Sequence, residues 1–246
     1  MTVTVSRHPR WLSNAWLVEP EAAEEAFLVD AGAPPEPLLA RLADSGRRLA
    51  AVLVTHFHPD HCAHAAAWAE RCGCPVYAHA LEADRVPGCD RRLVGGEDLD
   101  LGGVAVRVLH VPGHTVGQLA FSVAGVGVFT GDTLFRGSVG GTRGPGHGRF
   151  EDLRRSVLDV LLALPEETPV LPGHMEPTTV GRERRENPFV RAWRGEAAVG
   201  AEPCRALGRP ATLLLEARDY DGGTKAWVRW EDGSEDVVPG SRVERP

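Results

Sequence analysis

Lysine is nearly absent from this chain of 246 residues: of its 27 lysines and arginines, one, Lys225, is lysine. Arginine in such excess, beside abundant alanine and glycine, marks a bias of composition, so an arginine taken alone carries little functional information. Long apolar runs are absent too. The longest, Leu49–Val54, falls far short of the ~20 residues a membrane span requires. Met1–Arg10 is polar and basic with no apolar stretch behind it, so no secretory signal is read and the expected location is the cytoplasm. The five cysteines (Cys62, Cys72, Cys74, Cys89 and Cys204) are odd in number and contain no C-x-x-C pair, so neither a disulfide framework nor a zinc ribbon is indicated. There is no G-x-S-x-G elbow, and no serine or cysteine stands out as a nucleophile. A net charge of −7 argues against a nucleic-acid-binding surface.

What is present is an ordinary globular composition, 43% hydrophobic and 25% charged, with the periodicities of a mixed α/β chain. Asn14–Val18, Ala26–Asp30, Leu49–Thr55, Val104–Val111, Leu119–Val123, Val126–Thr130 and Thr168–Leu171 read as strands. Asp30-Ala31-Gly32 reads as a turn. Pro37–Asp44 and the alanine-rich Cys62–Arg71 read as helices, the second capped by Gly73. Leu153, Val157 and Leu161 recur at helical spacing, so Glu151–Ala163 is expected to be an amphipathic helix. Beyond about residue 200 the character changes to three short strands, Ala211–Ala217, Thr224–Glu231 and Glu235–Val238. The expected organisation is therefore a domain over residues 1–198 and a small β-meander over residues 205–246 that packs on it or on a partner. Trp227 and Trp230 fall on opposite faces of their strand, so one is expected in a core and the other on a contact surface.

The chemistry concentrates in Thr55-His-Phe-His-Pro-Asp-His61. Three imidazoles and a carboxylate between a strand and a helix would be costly to bury without a partner, and a metal ion supplies one. A metal takes about four ligands at roughly 2.0–2.2 Å. The segment holds too many donors for one site and too few for two. Three further donors follow, each at a turn just after a strand: His114 in Val111-Pro-Gly-His-Thr115, Asp132 in Thr130-Gly-Asp-Thr-Leu134, and His174 in Leu171-Pro-Gly-His174. The carboxyl ends of strands are where open α/β folds place their sites. Cys62, directly after His61, reads as a small buried apolar residue rather than a ligand. His64 reads as part of a polar helix face, His79 and His110 as structural, and His8 as exposed.

The ordered set H-x-H-x-D-H, PGHT, TGDTLF and PGH resembles the metallo-β-lactamase superfamily over residues from about Asn14 to Phe189. The resemblance implies an αββα four-layer sandwich with the β-meander appended. It implies His56, His58 and His114 on one metal ion, Asp60, His61 and His174 on a second, and Asp132 bridging the two. Zinc, iron and manganese all suit nitrogen and oxygen donors. Two such ions bring the pKa of a shared water toward neutrality, so the expected mechanism is attack of a metal-bound hydroxide on an electrophilic carbonyl. Asp60 is both a ligand and the group placed to orient that nucleophile and take its proton.

Thr130–Gly137, with Pro172-Gly-His-Met-Glu-Pro-Thr-Thr-Val-Gly-Arg-Glu183 and Asn187-Pro-Phe189, resembles the glyoxalase II-like group and in particular its short bacterial members. That implies hydrolysis of thioesters of the hydroxyacylglutathione type, a small-molecule substrate with no nucleic acid or membrane involved; homodimerisation is left open. Two features differ from that group. The tail after Phe189 turns to β structure where full-length glyoxalase II has a helical domain, and residues 137–150 depart from the usual run. Arg143, His147 and Arg149 in that stretch are candidates for substrate contact, as long loops over a site often carry recognition. The alternatives are a persulfide dioxygenase holding one iron by two histidines and an aspartate, and a phosphodiesterase or lactonase on the same scaffold.

Overall fold

The computed structural model describes every residue except Ala22. Two six-stranded sheets form its centre. In the first, Thr2–Arg7, Asn14–Glu19, Glu25–Val29, Arg48–Leu53, Val76–His79 and Cys89–Leu93 lie side by side in chain order. The first three pair antiparallel and the rest parallel. Parallel neighbours need a crossover, and the helices Glu36–Ser45 and Ala65–Cys72 fall where crossovers are required. The second sheet runs Thr178–Thr179, Pro169–Pro172, Gly127–Gly131, Leu119–Val123, Val104–His110, Asp98–Leu101.

The layers follow from which faces are apolar. Trp16, Phe27 and Leu53 of the first sheet meet Val106, Phe121 and Phe129 of the second in a common core. The outer face of the first sheet is covered by Leu38, Leu42, Ala65 and Trp68 from its two helices. The outer face of the second is covered by Phe150, Leu153 and Val157, and by Phe189, Val190 and Trp193. The chain is thus an αββα sandwich. Among the described residues no helix is long and apolar enough to cross a membrane.

The helix expected over Cys62–Arg71 is broken into a turn, Pro59–Cys62, and a helix, Ala65–Cys72. The break is stabilised by its neighbour: Ala31 N–H donates to His61 O at 2.7 Å, and His64 N–H donates to Ala31 O at 2.9 Å. A continuous helix would satisfy these groups internally and turn His61 elsewhere. The helix over Phe150–Arg155 continues as a wider turn, in which Leu162 N–H reaches back five residues to Val157 O. The edge strand Cys89–Leu93 escapes a hydrophobicity reading because Asp90, Arg91 and Arg92 are exposed on it; charges at a sheet edge discourage pairing with other chains.

The C-terminal segment forms five strands rather than three. Arg209–Arg218, Thr224–Trp230 and Glu235–Pro239 make the meander, and Glu202–Ala206 and Val243–Glu244 add to its far side. Pro203 and the exposed residues of Glu202–Ala206 leave only Cys204 and Ala206 pointing inward, too little for periodicity to detect. Trp227 stacks on Phe150 at 5.8 Å and meets Trp193 edge-on at 6.4 Å, so one face of this sheet shares the core beneath the second sheet. Trp230 lies on the other face, in a small cluster with Cys204, Leu213 and Val228.

Candidate metal centre

The strand Arg48–Leu53 delivers Thr55–His61 to the end of the first sheet, while Val104–His110, Gly127–Gly131 and Pro169–Pro172 deliver His114, Asp132 and His174 from the second. The structure brings all seven side chains together. His56 Nε2 lies 3.0 Å from His58 Nδ1, which lies 3.1 Å from His114 Nε2. His61 Nε2 lies 3.3 Å from His174 Nε2, and Asp60 Oδ2 is 3.4 Å from both. Asp132 sits between the two groups. Its Oδ1 is 3.3 Å from His61, and its Oδ2 is 3.4 Å from His174 and 3.5 Å from His114.

The outward-facing ring nitrogens explain why the inward ones can bind a cation. His58 Nε2 is 2.9 Å from Pro145 O, and His114 Nδ1 is 2.9 Å from Gly141 O. A carbonyl only accepts, so each of these nitrogens carries the proton and the other presents a lone pair to the cluster. His61 Nδ1 is held at 2.9 Å by the carboxylate of Asp30. Thr55 Oγ1 donates to that same carboxylate at 2.9 Å, leaving its oxygen to accept from His56 Nδ1 at 3.1 Å. Four imidazoles therefore aim lone pairs at one another at separations where neutral rings have nothing to share.

The electrostatics fit a cation at the centre of the cluster. Burial holds His56 well below the usual histidine range, and burial takes His114 down to about 4, so both are neutral ligands near pH 7. Burial alone would lower His61, yet Asp132 and Asp30 lift it well above its ordinary value. Burial would raise Asp132, but His174 and His61 bring its carboxyl well below the carboxylate range. Asp132 Oδ1 is buried without a hydrogen-bond partner. Divalent cations satisfy lone pairs, carboxylates and that orphaned oxygen together, so the donor set fits metal ions. Gly173 shows how tightly the site is drawn: a Cβ there would lie 2.4 Å from Asp132 Oδ1 and 2.8 Å from His61 Cε1.

The remaining candidates divide. Cys62 turns away from the cluster, its thiol donating to Phe57 O at 3.1 Å and pushed up to about 12 by burial. His64 stands at the start of the helix Ala65–Cys72 and lines a separate groove beside Trp68. His79 and His110 stack on each other at 4.4 Å, and His8 stacks on Trp11. A cavity of about 480 Å³ opens over His114 and Asp132. Arg143 lines it, though its guanidinium is bound to Asp236 at 2.5 Å. Arg149 instead pairs with Asp152 of the helix it precedes, and His147 is exposed with Nδ1 on Gly148 O; neither lines the cavity.

Four residues that no motif singled out also shape the site. Asp30 adopts φ 59° at the end of its strand and fixes both Thr55 and His61. Buried Glu82 accepts from the N–H groups of Phe57 and Gly117, tying the histidine loop to the second sheet. Tyr220 lies flat on His174, its ring 4.3 Å away and 14° from parallel. Lys225 lines the cavity beside it.

Residues 8–174 match the metallo-beta-lactamase superfamily. The chain belongs to that superfamily. It is a superfamily of metal-dependent hydrolases, and the donor cluster lies within the matched residues. Among related proteins, a hydroxyacylglutathione hydrolase from Acidiphilium cryptum is 37% identical over 223 residues, covering 88% of this chain and 86% of that one. Among solved structures, ETHE1 from Myxococcus xanthus superposes with a TM-score of 0.72 at 28% identity, covering 78% of this chain and 85% of that one. TTHA1623, solved in a di-iron-bound form, superposes with a TM-score of 0.66 at 39% identity, covering 76% of this chain and 99% of that one.

Proposed function

We propose that this superfamily hydrolase cleaves thioesters of the hydroxyacylglutathione type, using two divalent metal ions (zinc, iron or manganese) held by His56, His58, Asp60, His61, His114, Asp132 and His174. The observation that carries the reading is the convergence of all seven donors in three overlapping groups, His56/His58/His114, His56/His61/Asp132 and Asp60/His61/His174, more donors than one ion can use. The likeness to a hydroxyacylglutathione hydrolase across 88% of the chain supports the substrate class.

Metal ions in such a site acidify bound water and polarise a carbonyl oxygen. The protein's own part is orientation. Asp30, Thr55, Gly141 and Pro145 fix the imidazoles so that no ring must turn during the reaction. Asp60, whose carboxyl is held well below its ordinary value by His174 and His61 against the effect of burial, stays ionised at neutral pH. It keeps part of its side chain exposed, so it can accept a hydrogen bond from a nucleophilic water and orient it.

The competing reading is an oxidoreductase with one iron held by two histidines and an aspartate, and the ETHE1 likeness keeps it in view. It leaves four of the seven converging donors without a partner, which is costly for buried polar groups. The test is hydrolysis of S-lactoylglutathione by the metal-loaded protein and by Asp132→Ala. Hydrolysis that falls about 10³-fold in the variant is expected, the scale of losing a preorganised stabiliser of transition-state charge. Oxygen consumption on glutathione persulfide with no thioester cleavage would replace the proposal with the oxidoreductase.

A further inference from the structure

The family match ends at His174, and the sheet that begins at Glu202 lies beyond it. Yet more than half of the residues lining the cavity come from that sheet and its loops, among them Tyr220, Lys225, Val237 and Arg242. The C-terminal sheet is thus a wall of the site, and Lys225 is its most distinctive member. In a chain that otherwise takes its cations from arginine, the one lysine is buried in the wall of the cavity that His114 and Asp132 also line.

Its surroundings account for two of its three N–H groups. Lys225 Nζ donates to Val139 O at 2.6 Å and pairs with Asp219 Oδ2 at 3.2 Å. Asp219 in turn accepts from Ser138 Oγ at 2.8 Å, so its charge is shared. The faces of Phe135 and Tyr220 flank the ammonium at 4.6 and 5.0 Å. An ammonium has three donors, and among the described residues the third has no protein acceptor. A compact point charge on a flexible stem can turn that donor toward whatever enters the cavity. Arg143 is neutralised by Asp236, while Arg242, on the cavity's exposed edge, forms no ion pair among the described residues. Lys225 is itself paired with Asp219, so the positive charge on the wall without an ion pair among the described residues is that of Arg242.

Distance says which part of a substrate meets this donor. The scissile carbonyl belongs at the donor cluster. Tyr220 touches both His174, at 4.3 Å, and Lys225, at 5.0 Å, so Lys225 lies only one aromatic ring away from a ligand. A few bonds of acyl chain cover that distance, whereas the leaving thiol extends away from the carbonyl.

We propose that Lys225 is a specificity-determining residue: its free N–H takes an anionic oxygen on the acyl part of the substrate, so thioesters whose acyl group ends in a carboxylate are favoured. This rests on the thioesterase reading above. The test uses acetyl, lactoyl and succinyl thioesters of glutathione, with the same acyl groups on the neutral thiol N-acetylcysteamine. It compares the wild type with Lys225→Arg and with Lys225→Met/Asp219→Asn, which removes both charges of the pair together. In the wild type the succinyl ester is expected to exceed the acetyl ester in kcat/KM by about 10-fold or more on both thiols, the scale of a hydrogen bond to a charged group. In the double variant that ratio is expected to collapse toward one through a higher KM for the succinyl ester, and Lys225→Arg is expected to restore part of it.

Calorimetry with succinate supplies a readout without turnover, with binding expected in the wild type and about 10-fold weaker in the double variant. An unchanged ratio in the double variant, or a preference that follows the thiol, overturns the proposal. Should no thioester be cleaved, the thioesterase reading fails, and succinate titration still decides whether Lys225 binds a carboxylate: equal binding by wild type and double variant overturns it.

Discussion

His58 and His114, at the outer end of the donor cluster, lean on main-chain carbonyls of Pro145 and Gly141, whereas His61, at the inner end, leans on the buried carboxylate of Asp30. Asp30 stands at the end of a core strand, and burial raises its carboxyl above the ordinary value although His61 pulls it back down. The outer carbonyls belong to an irregular loop, and that loop is held by the C-terminal sheet. Thr142 N–H donates to Val237 O at 2.9 Å, Thr142 Oγ1 donates to Asp236 at 2.8 Å, and Arg143 grips the same carboxylate. The inner position is therefore fixed by the sandwich itself. The outer one depends on a segment of about forty residues beyond the family match, at the scale where small units need support from a neighbour.

Variants can break this contrast or sharpen it. The largest effect is expected from Gly173→Ala, which alters no donor. Its Cβ would meet both Asp132 and His61, so both ends should be displaced, bound metal should fall at each, and hydrolysis should drop by about 10²-fold or more, the scale of an ångström of misplacement. Metal analysis with kinetics checks it. Asp30→Asn keeps a side chain that tolerates φ 59° while removing the charge behind His61. One metal equivalent should weaken by about 10–100-fold, the scale for losing an outer partner of a ligating histidine, while the other is retained. Competition with a chelator reads the two steps separately. Asp236→Ala should act on the opposite end and more mildly. It removes the acceptor of Thr142 Oγ1, Arg143 and Trp230 Nε1, costs about 1–3 kcal/mol of stability by leaving donors unpaired, and weakens the outer equivalent first. Equal loss of both equivalents in Asp30→Asn and Asp236→Ala would erase the distinction.

The same contrast shows why part of the site is legible in the sequence and part is not. His56, His58, Asp60 and His61 are read because four donors fall within six positions at a strand end, and His114, Asp132 and His174 because each follows a glycine at the same kind of place. Asp30 has no such spacing. Its only signal is an acidic residue ending an apolar strand, which turn chemistry explains equally well. Lys225 and Tyr220 reach the cavity through the packing of Trp227 on Phe150 and Trp193, a long-range contact that no local pattern encodes. Loop position singles out Arg149 and His147 together with Arg143. It cannot reveal that Arg149 closes on Asp152 in the first turn of the helix that follows it. The layers of the sandwich were readable where apolar runs are continuous, and the edge strand Cys89–Leu93 was not, because Asp90, Arg91 and Arg92 leave no alternation to read.

The most direct test of the account is an anomalous-diffraction map of metal-loaded crystals. Two peaks about 3.5–4 Å apart are expected, one among His56, His58 and His114, the other among Asp60, His61 and His174, with Asp132 touching both. A single iron peak held by two histidines and one aspartate, with the other donors bound only to water, would contradict it.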